Sequence, residues 1–134
     1  MKLRTGAELI IGGLYAIGAV HQSLFVLRES RGFYDAMAEQ AWLPPAEALI
    51  EELLVPDSVA VTALVAVFQA AVAIAILTRG AAVRPALIAG GVFSVMAALT
   101  GSPAETVGYG ILAAIQFKLA SDRKSAGPAA AAED

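Results

Sequence analysis

The residues of this chain that could do chemistry are few, and most are polar groups set within apolar stretches. The chain has a single histidine, His21, and no cysteine. A His-pair haem site within one chain is therefore excluded, as are disulfides, thiol redox chemistry and thiolate metal sites. The sequence contains no glycine-rich phosphate loop and no nucleophile elbow. It therefore leans away from an enzyme and implies no particular cofactor.

The remaining polar groups recur at helical spacing on three apolar stretches: Glu8, Tyr15 and Gln22; Thr62 and Gln69; Glu105, Tyr109 and Gln116. Side chains at this spacing share one face of a helix. A polar group that faces lipid costs several kcal/mol. We therefore expect all three faces to point into the interior of a bundle.

Toward the outer leaflet these faces predict a polar pocket for a small ligand. Its candidate ligand-binding residues are His21, Gln22, Tyr34, Trp42, Thr62, Gln69, Glu105 and Tyr109. Ionisable groups inside a span are functional candidates by default, which singles out a possible His21–Glu105 pair. The alternative is that both lie at wet span ends, with Glu105 as a helix-start residue and His21 donating one hydrogen bond.

Four apolar stretches must position these groups, at about 8–27, 58–77, 83–100 and 105–120. Each is close to the length that a helix needs to cross a hydrocarbon core about 30 Å thick. Hydrophobic residues make up 58% of the chain and charged residues only 16%. We predict an all-α protein whose membrane domain covers 1–120. The polar, then Gly-Pro-Ala-rich 121–134 is predicted to be a disordered cytoplasmic tail.

The basic residues predict the orientation of this bundle. Seven lie on one side if the spans alternate: Lys2, Arg4, Arg79, Arg84, Lys118, Arg123 and Lys124. Only Arg28 and Arg31 lie on the other side. The positive-inside rule then places both termini in the cytoplasm, in a multi-pass protein of the cell membrane. In this orientation Glu8 is interpreted as an interfacial residue at the start of its helix.

The link 28–57 between the first two spans is predicted to lie outside and to be partly helical. Phe33, Tyr34, Met37 and Trp42 recur at near-helical spacing, and 46–54 follows as a short acidic amphipathic helix. Tryptophan and tyrosine are common anchors at headgroup depth. We expect an extracytoplasmic interfacial segment over the mouth of the bundle. The alternative is a partly ordered loop that only connects two spans.

Small residues predict how the helices associate. The third stretch carries Ala86, Gly90, Ser94 and Ala98, and the first carries Gly12, Ala16 and Ala19. Such stripes let helix backbones approach closely in lipid. Packing within one antiparallel four-helix transmembrane bundle is the favoured interpretation, and a homodimer interface is the alternative.

Several of these residues also form a pattern seen in a known family. Gly12, Tyr15, Gly18 and His21 are followed by Phe33-Tyr34 and by Trp42-Leu43-Pro44. The pattern resembles the DoxX-like family of small four-helix integral membrane proteins. The resemblance implies an antiparallel four-helix bundle and, in some members, association with quinone-linked sulfur or redox enzymes. The Asn-Pro that often precedes Phe-Tyr in that family is replaced here by Ser30-Arg31-Gly32.

Together these features predict a small polytopic membrane protein. We expect an accessory or ligand-binding subunit whose outer-facing polar pocket takes a quinone or lipid-like molecule, and which supports a redox enzyme. The alternatives are a small homodimeric proton-coupled transporter that uses Glu8 or Glu105, and a purely structural subunit of a membrane complex. The net charge of −3 and the lack of a basic aromatic patch argue against nucleic acid as a partner.

Overall fold

The computed structural model describes residues 2–125, and over this range the protein is all-helical without a strand. In chain order the helices are α1 (Lys2–Leu24), α2 (Ser30–Gln40), α3 (Pro44–Leu49), α4 (Ser58–Leu77), α5 (Val83–Thr100) and α6 (Pro103–Ser125). A 3₁₀ turn, Val26–Glu29, precedes α2, and a π turn, Ile50–Leu54, continues α3. The predicted all-α class is confirmed.

Three of these helices, α1, α4 and α5, are long and apolar enough to cross a membrane. The predicted stretches 58–77 and 83–100 coincide with α4 and α5. Helix α6 has 23 residues but is less apolar, because charged residues cluster in its last two turns. Four transmembrane spans therefore remain a proposal, taken up below.

Two helices extend beyond the apolar stretches predicted from the sequence, for the same physical reason. Helix α1 begins at Lys2 and ends at Leu24, and α6 continues through 121–125, which we predicted to be disordered. Residues 126–134 of that predicted tail lie outside the described residues. The apolar pattern in the sequence ends where the first charged residues appear. The helix itself continues past them, because its backbone hydrogen bonds do not require apolar side chains. At the end of α6 an i, i+4 pair, Lys118–Asp122 at 3.3 Å, adds support to the extra turn.

The long helices pack in sequence-adjacent pairs. Helix α1 lies along α4, α5 lies along α6, and α4 contacts α5. The predicted contact stripe on α5 is confirmed, because Ala86, Gly90, Ser94 and Ala98 are all buried. The main apolar core lies at the level of this α5 stripe. It includes Ile76, Val83 and Leu87, which are 1% exposed or less.

Several polar side chains are buried inside the bundle, while large apolar side chains are exposed on its surface. Its buried polar side chains are Glu8, Ser30, Ser58, Thr62, Gln69, Ser94 and Gln116. Large apolar side chains cover the outside of all four long helices, among them Ile10, Ile17, Leu64, Val67, Val92, Met96, Val107 and Ile111. Such an outer surface is unusual for a protein in water but suits a hydrocarbon surrounding.

The link between α1 and α4 is helical and packed rather than a connecting loop. Tyr34, Ala38 and Ile50 form a second buried cluster, separate from the main core. The Ser30 and Ser58 hydroxyls, 2.9 Å apart, tie the start of α2 to the start of α4. Helices α2 and α3 thereby cover one end of the bundle.

The two ends of the bundle differ in charge. The basic end holds the start of α1, the α4–α5 turn and the end of α6, and Arg79 Nη2 donates to Thr5 Oγ1 there at 3.2 Å. Within residues 2–125 it carries the seven basic residues of the predicted cytoplasmic side with two acids, Glu8 and Asp122. The acidic end, with α2 and α3, carries Arg28 and Arg31 against Glu29, Asp35, Glu39, Glu47, Glu51, Glu52, Asp57 and Glu105.

Candidate functional site

A closed hydrogen-bond cluster joins α1, α5 and α6 in the middle of the bundle. We call it the Tyr15 network, and its members are Tyr15, Gly90, Ser94 and Gln116. The Tyr15 hydroxyl donates to the Gly90 carbonyl at 2.8 Å and accepts from Gln116 Nε2 at 3.0 Å. Ser94 Oγ donates to Gln116 Oε1 at 3.0 Å. Both hydroxyl protons and the amide oxygen are thus satisfied, as buried polar groups in a low dielectric require.

A glycine at position 90 is required for the hydrogen bonds of the Tyr15 network to form. A Cβ at this position would lie 2.8 Å from the Tyr15 hydroxyl oxygen and 2.9 Å from Gln116 Nε2. Because both neighbours are held by hydrogen bonds, neither can move away without loss of a bond. The absence of a side chain at Gly90 therefore lets three helices share one polar cluster.

Directly beside this network lies an incompletely filled space, which we call the Gln69 cavity. Its volume is about 190 Å³. All four long helices contribute to its lining, which consists of Leu14, Tyr15, Gly18, Gln69, Phe93, Tyr109 and Leu112. The Tyr15 ring belongs to the wall while its hydroxyl belongs to the network, so the two regions share one side chain.

Gln69 differs from the members of the Tyr15 network because its amide oxygen is unsatisfied within the described residues. The residue is only 8% exposed. Its Oε1 is buried and has no hydrogen-bond partner within residues 2–125. The amide lies against Gly18, where a Cβ would be 2.9 Å from Oε1. A buried acceptor without a partner costs about 1–3 kcal/mol, so this oxygen lowers the stability of the fold.

The remaining walls of the cavity are apolar and aromatic. The Phe93 ring centroid lies 6.3 Å from that of Tyr15 and 5.3 Å from that of Phe68. Leu112 closes one side, and Tyr109, half-buried on α6, adds a second hydroxyl. No charged side chain of the described residues lines the cavity. The site is suited to a small uncharged molecule.

The cavity is partly open, and its lining includes Leu14 of α1 with Tyr109 and Leu112 of α6. These two helices make little direct backbone contact with each other. Leu14, which is 50% exposed, forms part of the rim. The Tyr15–Gln116 hydrogen bond joins α1 to α6 next to the cavity.

Glu8 is not at the start of its helix as the sequence predicted, because α1 begins at Lys2. Glu8 is 3% exposed and forms a two-point ion pair with Arg123 of α6. The Arg123 Nε and Nη2 atoms each lie 2.7 Å from a Glu8 carboxylate oxygen, and Arg4 Nε lies 4.0 Å from the same carboxylate. The pairing accounts for the burial, since a buried carboxylate needs a matched partner. Arg123 was overlooked because it falls in the predicted tail.

Of the eight predicted ligand-binding residues, the structure brings Gln69 and Tyr109 together in the cavity. Gln22 lies on the same face of α1 as Tyr15 and Gly18, and its Oε1 is also buried without a partner in the described chain. These three predicted residues stay candidates on geometric grounds.

Three further candidate residues, Tyr34, Trp42 and Thr62, make hydrogen bonds at the acidic end of the bundle instead. Thr62 donates to the Ser58 carbonyl at 2.8 Å, and its hydroxyl lies 3.5 Å from that of Tyr34. Trp42 Nε1 donates to Thr106 Oγ1 at 2.9 Å. These contacts fasten α2 and its following loop to α4 and α6, and none of the three residues lines the cavity.

His21 and Glu105 do not meet in the described structure. The exposed His21 ring stacks near Phe25, with centroids 5.6 Å apart. Glu105 Oε2 accepts from the Ser102 backbone N–H at 2.7 Å, and Ser102 Oγ accepts from the Glu105 N–H at 3.4 Å. This reciprocal pair is a capping box at the start of α6. The sequence Ser-Pro-Ala-Glu carried that signal.

Sequence reasoning missed most of the apolar lining. Leu14, Phe93 and Leu112 carry no polar signal, and Gly18 was noted only as part of a family-like motif. Tyr15 was placed on the inward face of α1 but not among the candidates. A cavity arises where side-chain shapes fail to fill space, which spacing along one helix does not reveal.

No group of three or more His, Cys, Asp or Glu side chains suited to a metal ion occurs within residues 2–125. Comparison with family models, with curated proteins and with solved structures gives no match for this chain. Its function must therefore be argued from the Gln69 cavity itself.

Proposed function

We propose that this chain is a four-span integral membrane protein that binds a small amphipathic molecule, quinone-like or lipid-like, in the Gln69 cavity. The single observation that carries the proposal is a partly open, mainly apolar and aromatic cavity with the nearly buried Gln69 amide in its wall. Natural sites for small molecules combine mostly apolar walls with a few convergent polar groups.

The membrane setting is supported by the polarity of α6 as well as by the three more apolar helices. The exposed positions Val107, Ile111, Ile115 and Phe117 form an apolar outer face on α6, while Gln116 faces inward and is fully buried. A helix of 23 residues spans about 34 Å at the usual rise of 1.5 Å per residue. We therefore propose that α6 is the fourth span.

The orientation follows from the charge difference between the two ends. The positive-inside rule places the basic end in the cytoplasm. The acidic end, with α2 and α3 packed across it, then lies outside as an interfacial cover. A ligand reaches the cavity from the bilayer through the gap between α1 and α6.

The resemblance to the DoxX-like family motivates quinone-like molecules as the first ligands to examine and a membrane redox enzyme as a partner. A proton-coupled transporter has less support. Glu8 is paired with Arg123, and Glu105 caps a helix at the acidic end. Neither carboxylate lies at the midplane, where coupling sites normally occur.

Ligand-induced thermal stabilisation in lipid nanodiscs tests the proposal. A short-tailed benzoquinone and a single-chain lipid are added to the wild type, to Gln69→Leu and to Gln40→Leu, an exposed glutamine at the end of α2. We expect a saturable rise in melting temperature for the wild type and the control, and a much smaller rise for Gln69→Leu. The proposal fails if neither molecule stabilises the wild type, or if Gln69→Leu responds as fully as the control.

A further inference from the structure

We propose that Arg79, at the basic end of the bundle, binds the phosphate group of an anionic phospholipid in the adjoining leaflet. Three observations support this site: the surplus of positive charge at the basic end, the backbone conformation of Arg79, and the position of its guanidinium group. The site shares the membrane setting with the proposed function but does not involve the Gln69 cavity, so either can fail alone.

The acidic side chains of the basic end that the structure describes are already paired. Glu8 forms its two-point ion pair with Arg123 at 2.7 Å, and Asp122 lies 3.3 Å from Lys118. The basic residues of this end that form no ion pair within residues 2–125 are Lys2, Arg79, Arg84 and Lys124. The described part of this end therefore carries a surplus of positive charge, which attracts an anionic partner.

The backbone of Arg79 distinguishes it from the other basic residues of this end. Within the described chain it is the only residue other than glycine with a positive φ, which is 59°. This left-handed region is disfavoured by a Cβ atom, and a glycine after the last turn of α4 would adopt it without that cost. Strained positions of this kind are often kept where the side chain has a function.

The side chain of Arg79 is half-buried and held against α1. Its Nη2 atom donates to Thr5 Oγ1 at 3.2 Å, which is the only hydrogen bond of this guanidinium group within residues 2–125. A guanidinium group has five N–H donors in one plane. Most of these donors therefore remain for a ligand, while the contact with Thr5 fixes where the group lies.

Arg79 lies at the depth of the lipid headgroups. It follows directly on the apolar outer face of α4, where Ile74 and Leu77 are exposed. In the proposed orientation this depth belongs to the cytoplasmic leaflet, whose anionic lipids attract basic residues. Two phosphate oxygens can accept parallel N–H bonds from one guanidinium group. A phosphatidylglycerol headgroup carries no cation of its own, whereas phosphatidylcholine does, so the anionic lipid should be preferred.

The test measures the melting temperature of the full chain in nanodiscs of dioleoylphosphatidylcholine and of an equal mixture of this lipid with dioleoylphosphatidylglycerol. We expect the wild type to melt about 3–6 °C higher in the mixture, the shift that one cation at an anionic membrane surface provides in a domain of this size. Arg79→Gly should lose most of this rise. In phosphatidylcholine alone it should melt at about the wild-type temperature, because glycine adopts a positive φ without strain and only the bond to Thr5 is lost.

Arg84→Gln is the matched control, because it removes one exposed charge from the same end of the bundle. It should keep most of the rise in the mixed lipid. Because one variant could fail to fold, Arg79→Asn serves as a second probe, since asparagine also tolerates a positive φ. It should behave as Arg79→Gly does. Inorganic phosphate added to the phosphatidylcholine nanodiscs should leave the melting temperature unchanged.

Equal melting of the wild type in the two lipids would overturn the proposal. An equal loss of the rise in Arg84→Gln and Arg79→Gly would also overturn it, because it would indicate diffuse attraction by the whole basic end. A rise with inorganic phosphate alone would assign the site to a free anion rather than to a lipid. If both Arg79 variants melt far below the wild type in phosphatidylcholine, Arg79 is a structural residue and the proposal fails. None of these outcomes bears on ligand binding in the Gln69 cavity, so the proposed function is tested separately.

Discussion

The Tyr15 network and the Gln69 cavity both lie in the interior of the bundle and share the Tyr15 side chain. They differ in whether their buried polar groups have hydrogen-bond partners. In the network, Tyr15, Ser94 and Gln116 complete one another's hydrogen bonds across three helices. In the cavity, Gln69 is nearly as buried but its oxygen has no partner in the described chain. Two buried glutamines of one bundle therefore have different consequences: Gln116 joins helices through hydrogen bonds, and Gln69 leaves one acceptor without a partner in the described chain.

The energetic basis of this difference is the low dielectric of the bundle interior. A hydrogen bond between membrane helices contributes about 0.6–2 kcal/mol. An unsatisfied buried acceptor costs about as much or more. The network therefore stabilises the fold, whereas the unpartnered Gln69 oxygen destabilises it. Changes in the network should lower stability, and changes in the cavity should mainly alter binding.

The largest effect is expected for Gly90→Ala. The added Cβ would lie 2.8 Å from the Tyr15 hydroxyl oxygen and would break the centre of the network. We expect the free energy of unfolding to fall by about 2–3 kcal/mol, from overpacking and a lost hydrogen bond together. Denaturation with SDS in mixed micelles measures it. Gly13→Ala is the matched control, because a Cβ there meets nothing within 4 Å. Equal stability of the two variants would show that the close approach at Gly90 is unimportant.

A smaller loss is expected for Tyr15→Phe. The substitution removes the hydroxyl that bonds Gly90 and Gln116 but keeps the ring that lines the cavity. We expect a loss of about 1–2 kcal/mol in the same SDS measurement, with ligand affinity changed less than threefold. A variant of wild-type stability that no longer binds would reverse the roles assigned to the two regions.

The smallest effect on stability is expected for Gly18→Ala. The new methyl group would lie 2.9 Å from Gln69 Oε1 and would displace the end of a flexible side chain rather than backbone. We expect stability within about 1 kcal/mol of the wild type, because no hydrogen bond within the described residues is lost. Ligand affinity should fall at least threefold in the thermal-shift assay. Unchanged affinity would mean that the Gln69 amide does not need its position against Gly18.

Much of the fold could be predicted from the sequence because its main signals are local. Long apolar runs gave α4 and α5 with their observed bounds, and four-residue spacing identified the buried face of α5. The capping of α6 by Ser102 and Glu105 was also present in the local sequence. These features depend on residues one or two helical turns apart.

The candidate site could be predicted only in part because it depends on contacts between distant segments. The helical spacing predicted that Gln69 and Gln116 face inward. It did not predict that Gln116 bonds to Tyr15, or that the Gln69 oxygen has no partner in the described chain. Glu8 and Arg123 are far apart in the chain, so their pairing left no local signal. His21 lies one residue, or about 100° around the helix, from the inward-facing Gln22, and it is exposed.

The central claim is tested most directly by replacing each of the two buried glutamines with leucine and measuring the free energy of unfolding without ligand. Gln116→Leu should destabilise the bundle by about 1–3 kcal/mol, because Tyr15 and Ser94 lose their shared partner. Gln69→Leu should leave stability unchanged or raise it by up to about 1 kcal/mol, since the unsatisfied oxygen is removed. If Gln69→Leu destabilises the protein as much as Gln116→Leu does, Gln69 is a structural residue and the account of an open binding site is wrong.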